Sequence, residues 1–256
     1  MKKILGLLLL LVSISVAAQE KKSKDKKAKE PKPVKVVEPK APKPKPDYSK
    51  LDLSKRASDH FMFQYGMAGW GNAYNITTKG FSRTFNAYFL FDFPFKTNPR
   101  FSAAIGPGIG TDNIFFENTT IDLNNRVGAT FTRDTINRYK KYKLTNAYAE
   151  IPLEIRYSTK PENMNSGWKF ALGLKVGTMV DGKTKAKVDR DAAGTGGYID
   201  KEKDRRYFNS TRFAGTARIG YGNLSLFGSY TITDFFKEGL GPSVRPFSVG
   251  LTLSGF

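Results

Sequence analysis

The sequence predicts an all-β chain that crosses a membrane as an eight-stranded, antiparallel, up-and-down β-barrel. Three observations lead to this fold class. From residue 60 onward apolar and polar residues alternate with a period of two. After the N-terminal segment no apolar run approaches the ~20 residues that a transmembrane helix needs. Finally, the sequence closes on a two-faced strand, 245–256, whose last residue is aromatic.

The N-terminal segments differ in composition from the rest. Residues 1–18 combine two early lysines, an apolar run and small residues before Gln19, which is typical of a secretory signal peptide. Residues 19–58 form a Lys/Pro-rich tail; twelve lysines and five acidic residues lie between 19 and 50. Such a segment has almost nothing to bury, so we expect it to be disordered. We expect residues 59–256 to form the barrel.

Eight segments have the length and alternation of membrane-crossing strands. The clearest is 167–181, in which Trp168 and the following even-numbered apolar residues share one face, while Lys169, Lys175 and Asp181 share the other. In chain order the candidates are 60–70, 82–94, 101–116, 144–158, 167–181, 211–221, 224–234 and 245–256.

The connections alternate between short and long. Segments 95–100, 159–166 and 222–223 are short, whereas 71–81, 117–143, 182–210 and 235–244 are longer. Transmembrane barrels have short turns on the periplasmic side and longer loops outside. If the chain starts in the periplasm, the observed order matches that rule and favours an even strand count.

Charged and aromatic side chains have predictable places in such a barrel. An eight-stranded barrel is only wide enough for its own side chains, so inward charges must be paired. We predict an interior charge network of Glu150, Glu154, Arg156, Lys175, Arg212 and Arg218. Aromatic girdles are predicted at both membrane boundaries, with Phe93, Phe95, Phe101, Tyr157, Trp168 and Tyr221 on the inner side and Trp70, Phe235 and Phe236 on the outer side.

Two further sets of residues are assigned from pattern. In the closing strand, Leu251, Leu253 and Phe256 form an expected C-terminal assembly signal, which the outer-membrane barrel assembly machinery would recognise. Phe256 is out of phase with the two leucines. A bulge at Gly255 would place it on their face of the strand, and without a bulge it points inward. The basic outer loops predict contact with lipopolysaccharide phosphates through Lys183, Lys185, Lys187, Arg190, Lys201, Lys203, Arg205 and Arg206.

Two motifs point to a family. The segment AYAEIPLEIRY carries Tyr148, Glu150, Pro152 and Leu153 in a Tyr-x-Glu-x-Pro-Leu pattern, and Tyr230, Thr233, Asp234 and Phe236 follow a Tyr-x-x-Thr-Asp-x-Phe pattern. Both resemble the PorT-like outer-membrane β-barrel proteins over roughly residues 60–256. The resemblance implies a barrel in the outer membrane of a Gram-negative cell envelope; the family includes secretion-system accessories.

The residues for chemistry are sparse. The single histidine, His60, falls at the expected periplasmic start of the first strand, and there is no cysteine. The glycines of Gly106-Pro107-Gly108-Ile109-Gly110 lack the helix and the lysine–hydroxyl pair of a phosphate-binding loop, and we expect them to make room in the lumen. We therefore expect no catalytic residue, cofactor or metal ion, and no nucleic-acid partner.

These inferences favour a non-enzymatic scaffold or interaction subunit of an envelope complex, for secretion or outer-membrane biogenesis. Its lumen should be filled, so it should not be a general porin. The periplasmic tail should contact an envelope protein or peptidoglycan. A lipid-modifying enzyme acting through outer carboxylates such as Asp181, Asp189, Asp191 and Asp200, a stand-alone structural barrel and a small channel remain alternatives.

Overall fold

The computed structural model describes residues 53, 56, 60–71, 76, 78, 82–117, 119–122, 128–133, 138–190, 197, 199–203 and 205–255. The predicted signal peptide 1–18, almost all of the tail 19–58, and Phe256 lie outside these residues. The described part of the chain consists of thirteen β-strands and one 3-10 helix, Met164–Ser166. The all-β prediction is therefore confirmed for this part of the chain.

Ten of the thirteen strands coincide with the predicted segments to within a few residues, except that β8 and β9 extend well beyond theirs at the loop side; β6, β7 and β10 lie in segments predicted as loops. In chain order they are β1 Phe61–Gly71, β2 Arg83–Phe89, β3 Phe91–Pro94, β4 Phe101–Ile105, β5 Gly108–Phe116, β6 Thr119–Asp122, β7 Thr130–Arg133, β8 Arg138–Ser158, β9 Trp168–Arg190, β10 Ile199–Lys203, β11 Thr211–Tyr221, β12 Leu224–Thr231 and β13 Arg245–Ser254.

Antiparallel pairing joins the strands into a closed ring. β13 pairs with both β12 and β1, and the ring continues through β2, β5, β8, β9 and β11 back to β12. β3 pairs with β4, and β4 pairs with β8. β2 with β3, interrupted at Leu90, and β4 with β5, interrupted at Gly106-Pro107, each form one crossing, so the ring has eight crossings.

The connections differ at the two ends of the ring. At the entry end, where β1 begins, the links are short, and Gly222-Asn223 is a two-residue hairpin in which Gly222 has a φ of 61°. A positive φ of this kind is typical of tight hairpins and favours glycine. The long connections lie at the opposite end, called the loop end below. The sequence predicts these connections as loops, but parts of them form the strands β6, β7 and β10.

The two faces of the ring divide by polarity as predicted. In β13, Phe247, Val249, Leu251 and Leu253 are exposed on the outside, whereas Ser248, Thr252 and Ser254 are buried inside. The same division holds along β8 and along β9 as far as Met179. An apolar outer face around a polar interior is the pattern of a membrane barrel and the reverse of a soluble domain.

The prediction that Asp181 shares the inward face of Lys175 is wrong. Tyr148 of β8 lies opposite Met179, but the preceding Ala147 lies opposite Asp181, so β9 has one extra residue at Val180. A bulge of this kind reverses the alternation beyond it. Asp181 therefore lies on the outer face.

Among the described residues, no helix has the length and apolar character needed to cross a membrane.

Candidate functional site

The middle of the interior contains a layer of four buried charges and a tyrosine. Glu150 of β8 pairs with Arg212 of β11 and with Lys175 of β9, whose Nζ lies 3.3 Å from Oε2. Arg212 also pairs with Asp112 of β5 at 2.7 Å. Tyr88 of β2 donates its hydroxyl hydrogen bond to Glu150 at 2.6 Å. Two carboxylates thus face two cations, and the layer is electrically neutral.

A second layer lies nearer the entry end. Glu154 accepts hydrogen bonds from Arg218 at 2.8 Å and from Arg156 at 2.9 Å. Arg156 also lies 3.6 Å from Asp92, which pairs with Arg56 at 2.8 Å. These side chains are buried. All six charges of the predicted interior network therefore point inward, distributed over two layers.

Arg56 falls within the tail 19–58, which the sequence predicts to be disordered. Its guanidinium pairs with Asp92 and also donates to the backbone carbonyl of Pro99 at 2.8 Å. Its side chain is only 7% exposed. Arg56 thus completes the charge layer nearer the entry end, although it precedes the first strand in the chain.

Glycines make room for these large side chains. A Cβ at Gly110 would lie 2.8 Å from Glu150 Oε2, and one at Gly177 would lie 3.0 Å from Glu150 Cγ. A Cβ at Gly108 would overlap the ring of Tyr88, and one at Gly173 would lie 3.0 Å from a carbon of Glu154. Gly108 and Gly110 thus make room in the lumen as predicted, whereas Gly106 lies against the backbone of Phe89 and Leu90.

An aromatic cap closes the loop end. Trp70 packs its ring against Phe116 and Phe235, with centroids 5.2 and 5.5 Å apart. Phe235 lies 5.0 Å from both Phe208 and Phe236. The cluster continues through buried residues of β5, β8 and β9, so apolar side chains cover the charged interior from this side.

The predicted outer girdle is therefore wrong. Trp70, Phe235 and Phe236 are 7%, 3% and 2% exposed and belong to the cap. Trp70 is eight residues from inward-facing Met62, an even spacing that places it on the inner face of the strand. At the entry end the girdle prediction holds for Phe93, Phe95, Phe101, Trp168 and Tyr221, which are exposed around the rim, whereas Tyr157 is half-buried.

The predicted basic loop residues fall into different settings. Lys183, Lys185 and Lys187 lie on the outer face of β9, and Lys201 and Lys203 lie on β10 beside them. The Arg190 side chain lies outside the described residues. The other two arginines contact the protein itself: Arg205 donates a hydrogen bond to the backbone carbonyl of Val180 at 2.8 Å, and the Arg206 guanidinium lies 5.6 Å from the centroid of the Tyr207 ring.

The described residues of the predicted assembly signal, and the single histidine, lie at the entry end. Leu251 and Leu253 are exposed on the outer face of β13. The strand stops at Ser254, because Gly255 has a φ of 104°, a left-handed value that leaves extended geometry. His60 has its Nδ1 2.9 Å from the carbonyl oxygen of Leu90, and its ring stacks on Phe89.

Sequence reasoning missed four members of the charge layers: Arg56, Tyr88, Asp92 and Asp112. Tyr88 and Asp112 have the inward parity of their strands, as do the buried Asn86 and Ile114. Strand parity could therefore have found both. Arg56 precedes the first strand, where alternation gives no information.

The comparison with protein families agrees with this architecture. The family described as outer membrane protein beta-barrel domain matches residues 55–237, which is more than two thirds of the chain. The chain belongs to this family. The match supports the bacterial outer membrane as its location. No curated protein matches the chain.

Proposed function

We propose that this outer-membrane barrel is a non-enzymatic scaffold or interaction subunit of an envelope complex, for secretion or outer-membrane biogenesis. The observation that carries the proposal is the closed interior: two layers of paired charges fill it, and the aromatic cap covers the loop end. A barrel without an open lumen contributes through its surfaces and its attached segments.

The layers oppose transport because both are tightly paired. Opening a path past Glu150 would separate it from Lys175 and Arg212, leaving charges buried without partners. Breaking a buried ion pair costs about 3–5 kcal/mol. A path through the whole barrel would also have to break the paired charges around Glu154 on the entry side and open the apolar cap on the loop side.

The PorT-like motifs have architectural roles in this barrel. In the first, Tyr148 packs its ring 4.1 Å from the Arg212 guanidinium, beside Glu150. In the second, Thr233 accepts a hydrogen bond from the Phe213 amide at 3.2 Å, and Phe236 is in the cap. We assign the chain to the PorT-like group because it carries both motifs; Tyr148 of the first and Phe236 of the second are buried in the closed interior.

The non-enzymatic assignment rests on the contacts of His60 and Asp181; the side chains of the other candidate carboxylates, Asp189, Asp191 and Asp200, lie outside the described residues. His60 is at the entry end and is occupied with the Leu90 carbonyl. At the loop end, Asp181 pairs with Lys183 at 2.7 Å and with Lys203 at 3.1 Å, which favours the charged carboxylate of a surface ion pair. We assign neither residue a catalytic role.

The proposed orientation puts the entry end and the tail 19–58 in the periplasm. The tail then binds an envelope protein or peptidoglycan. Its prolines favour an extended chain and its lysines supply charge, so the tail can act as an extended, charged ligand for such a partner. The outer face contacts membrane lipid, and the closing strand with Leu251 and Leu253 contacts the barrel assembly machinery.

The test is co-purification from outer membranes in mild detergent. The tagged protein is compared with a form lacking residues 20–50, and with a control in which the twelve lysines of residues 19–50 become serine while length and prolines are kept. We expect stoichiometric envelope proteins with the intact chain and their loss on deletion. If the serine control also loses them, charge mediates the recognition. Recovery of the intact barrel with lipid alone would refute the scaffold proposal.

A further inference from the structure

Lysines form a lattice on the outer face of three adjacent strands at the loop end. Lys185 of β9 lies directly opposite Lys143 of β8 on one side and Lys201 of β10 on the other. In the neighbouring row, Lys183 lies opposite Lys203. Side chains that face each other across strands are about 5 Å apart at Cβ, and like charges in these positions are destabilising.

A carboxylate neutralises Lys183 and Lys203, but none in the described part of the chain neutralises Lys185, Lys187 or Lys201. Asp181 accepts from Lys183 at 2.7 Å and lies 3.1 Å from Lys203. Lys185, Lys187 and Lys201 together concentrate positive charge that an external anion would neutralise.

The lattice begins directly beyond the apolar belt. Val176 and Val180 are exposed on the outer face of β9, and the lysines follow at positions 183, 185 and 187. At about 3.3 Å per residue and a strand tilt near 40°, the lysines lie roughly 8–18 Å beyond Val180 along the barrel axis. The lysines therefore lie beyond the hydrocarbon core, on the side of the lipid headgroups.

We propose that this lysine lattice is a binding site for the phosphate groups of a bis-phosphorylated glycolipid in the leaflet at the loop end. The lysines would hold the phosphates, while the apolar belt below them would pack against the acyl chains. A lipid is favoured over a soluble polyanion because both surfaces lie on the same strand, one directly above the other. The inference rests on the proposed orientation but not on the tail or its partner.

The test measures binding of purified bis-phosphorylated lipid A to the full-length protein in detergent. The variant changes the three lysines without a carboxylate partner, Lys185→Gln, Lys187→Gln and Lys201→Gln. Its matched control changes three exposed lysines elsewhere, Lys96→Gln, Lys160→Gln and Lys237→Gln, so that net charge is equal. A basic residue near an anionic membrane surface contributes about fivefold in affinity, so we expect a loss on the order of 100-fold in the variant and little loss in the control.

Thermal unfolding supplies a second readout. Because the triple variant relieves like-charge repulsion, its lipid-free midpoint should equal or exceed that of the wild type, and addition of lipid A should stabilise only the wild type and the control. Equal lipid A affinity in variant and control would overturn the proposal. So would equal wild-type affinity for dephosphorylated lipid A, or an affinity for soluble polyphosphate as high as that for lipid A.

Discussion

Glu150 is the residue whose replacement tests the closed interior most directly. Its carboxylate joins Arg212, Lys175 and the Tyr88 hydroxyl, and its relative exposure is 2%. Glu150→Gln keeps the shape but leaves two cations facing only Asp112. Because removing one partner of a buried ion pair costs about 3–5 kcal/mol, we expect a loss of that size in the free energy of unfolding.

The charge balance predicts the outcome of a second substitution. Lys175→Met alone leaves one excess negative charge, although Glu150 keeps Arg212 and Tyr88, so we expect a smaller loss of about 1–3 kcal/mol. The double variant Glu150→Gln/Lys175→Met restores neutrality, with Arg212 still paired to Asp112 at 2.7 Å. It should be more stable than Glu150→Gln alone, with a coupling energy of about 1–3 kcal/mol.

The assay is urea unfolding from detergent micelles, followed by far-UV circular dichroism and tryptophan fluorescence. The fluorescence signal comes from Trp70 in the cap and Trp168 at the entry end together, so it covers both ends of the barrel. With a slope near 2 kcal/mol per M, the Glu150→Gln midpoint should fall by about 2 M urea. Glu162→Gln, at an exposed turn residue, is the control. Additive losses in the double variant, or a midpoint for Glu150→Gln equal to that of the control, would show that the interior charges do not act as a neutral cluster.

Three further predictions concern the glycines, the cap and the loop end. Gly108→Ala overlaps a buried tyrosine ring and should lower the free energy of unfolding by about 1–3 kcal/mol, whereas Gly215→Ala, with nothing within 4 Å, should leave the urea midpoint unchanged. Trp70→Ala should cost about 3–5 kcal/mol and expose the cap to a hydrophobic dye; an unchanged midpoint would contradict its role there. A hydrogen bond from Arg245 holds the pKa of Asp234 below its ordinary value of 3.8. The wild type should therefore unfold at a higher midpoint than Asp234→Asn at pH 7, and this difference should vanish as the pH falls through the folded-state pKa; a difference independent of pH would refute the ion pair.

Most of the strand plan could be predicted because alternation is a local property. A residue in an extended strand faces the opposite side from its neighbours, so the polarity of β13 or β11 can be assigned without knowledge of its partners. The inward position of Glu150 and Arg212 follows from the same rule.

The predictions of side-chain position fail in two situations. In one, an extra residue interrupts the alternation of a strand; in the other, a contact between distant segments determines where the side chain lies. The extra residue at Val180 moved Asp181 to the outer face. Aromatic composition alone suggested a girdle for Trp70 and Phe235, but the long connections fold over the barrel and bury both. Arg56 reaches Asp92, thirty-six positions away, which no local pattern indicates.

The sequence by itself determined the class of the fold, the location of its crossing strands and the polarity of the two faces, because these depend on residue type and spacing along one strand. Only the tertiary structure decided how the charges pair, what closes the loop end and which lysines become neighbours. Those properties depend on register between strands, and register brings together residues as distant as Asp112 and Arg212. The closed interior and the lysine lattice are both consequences of that register.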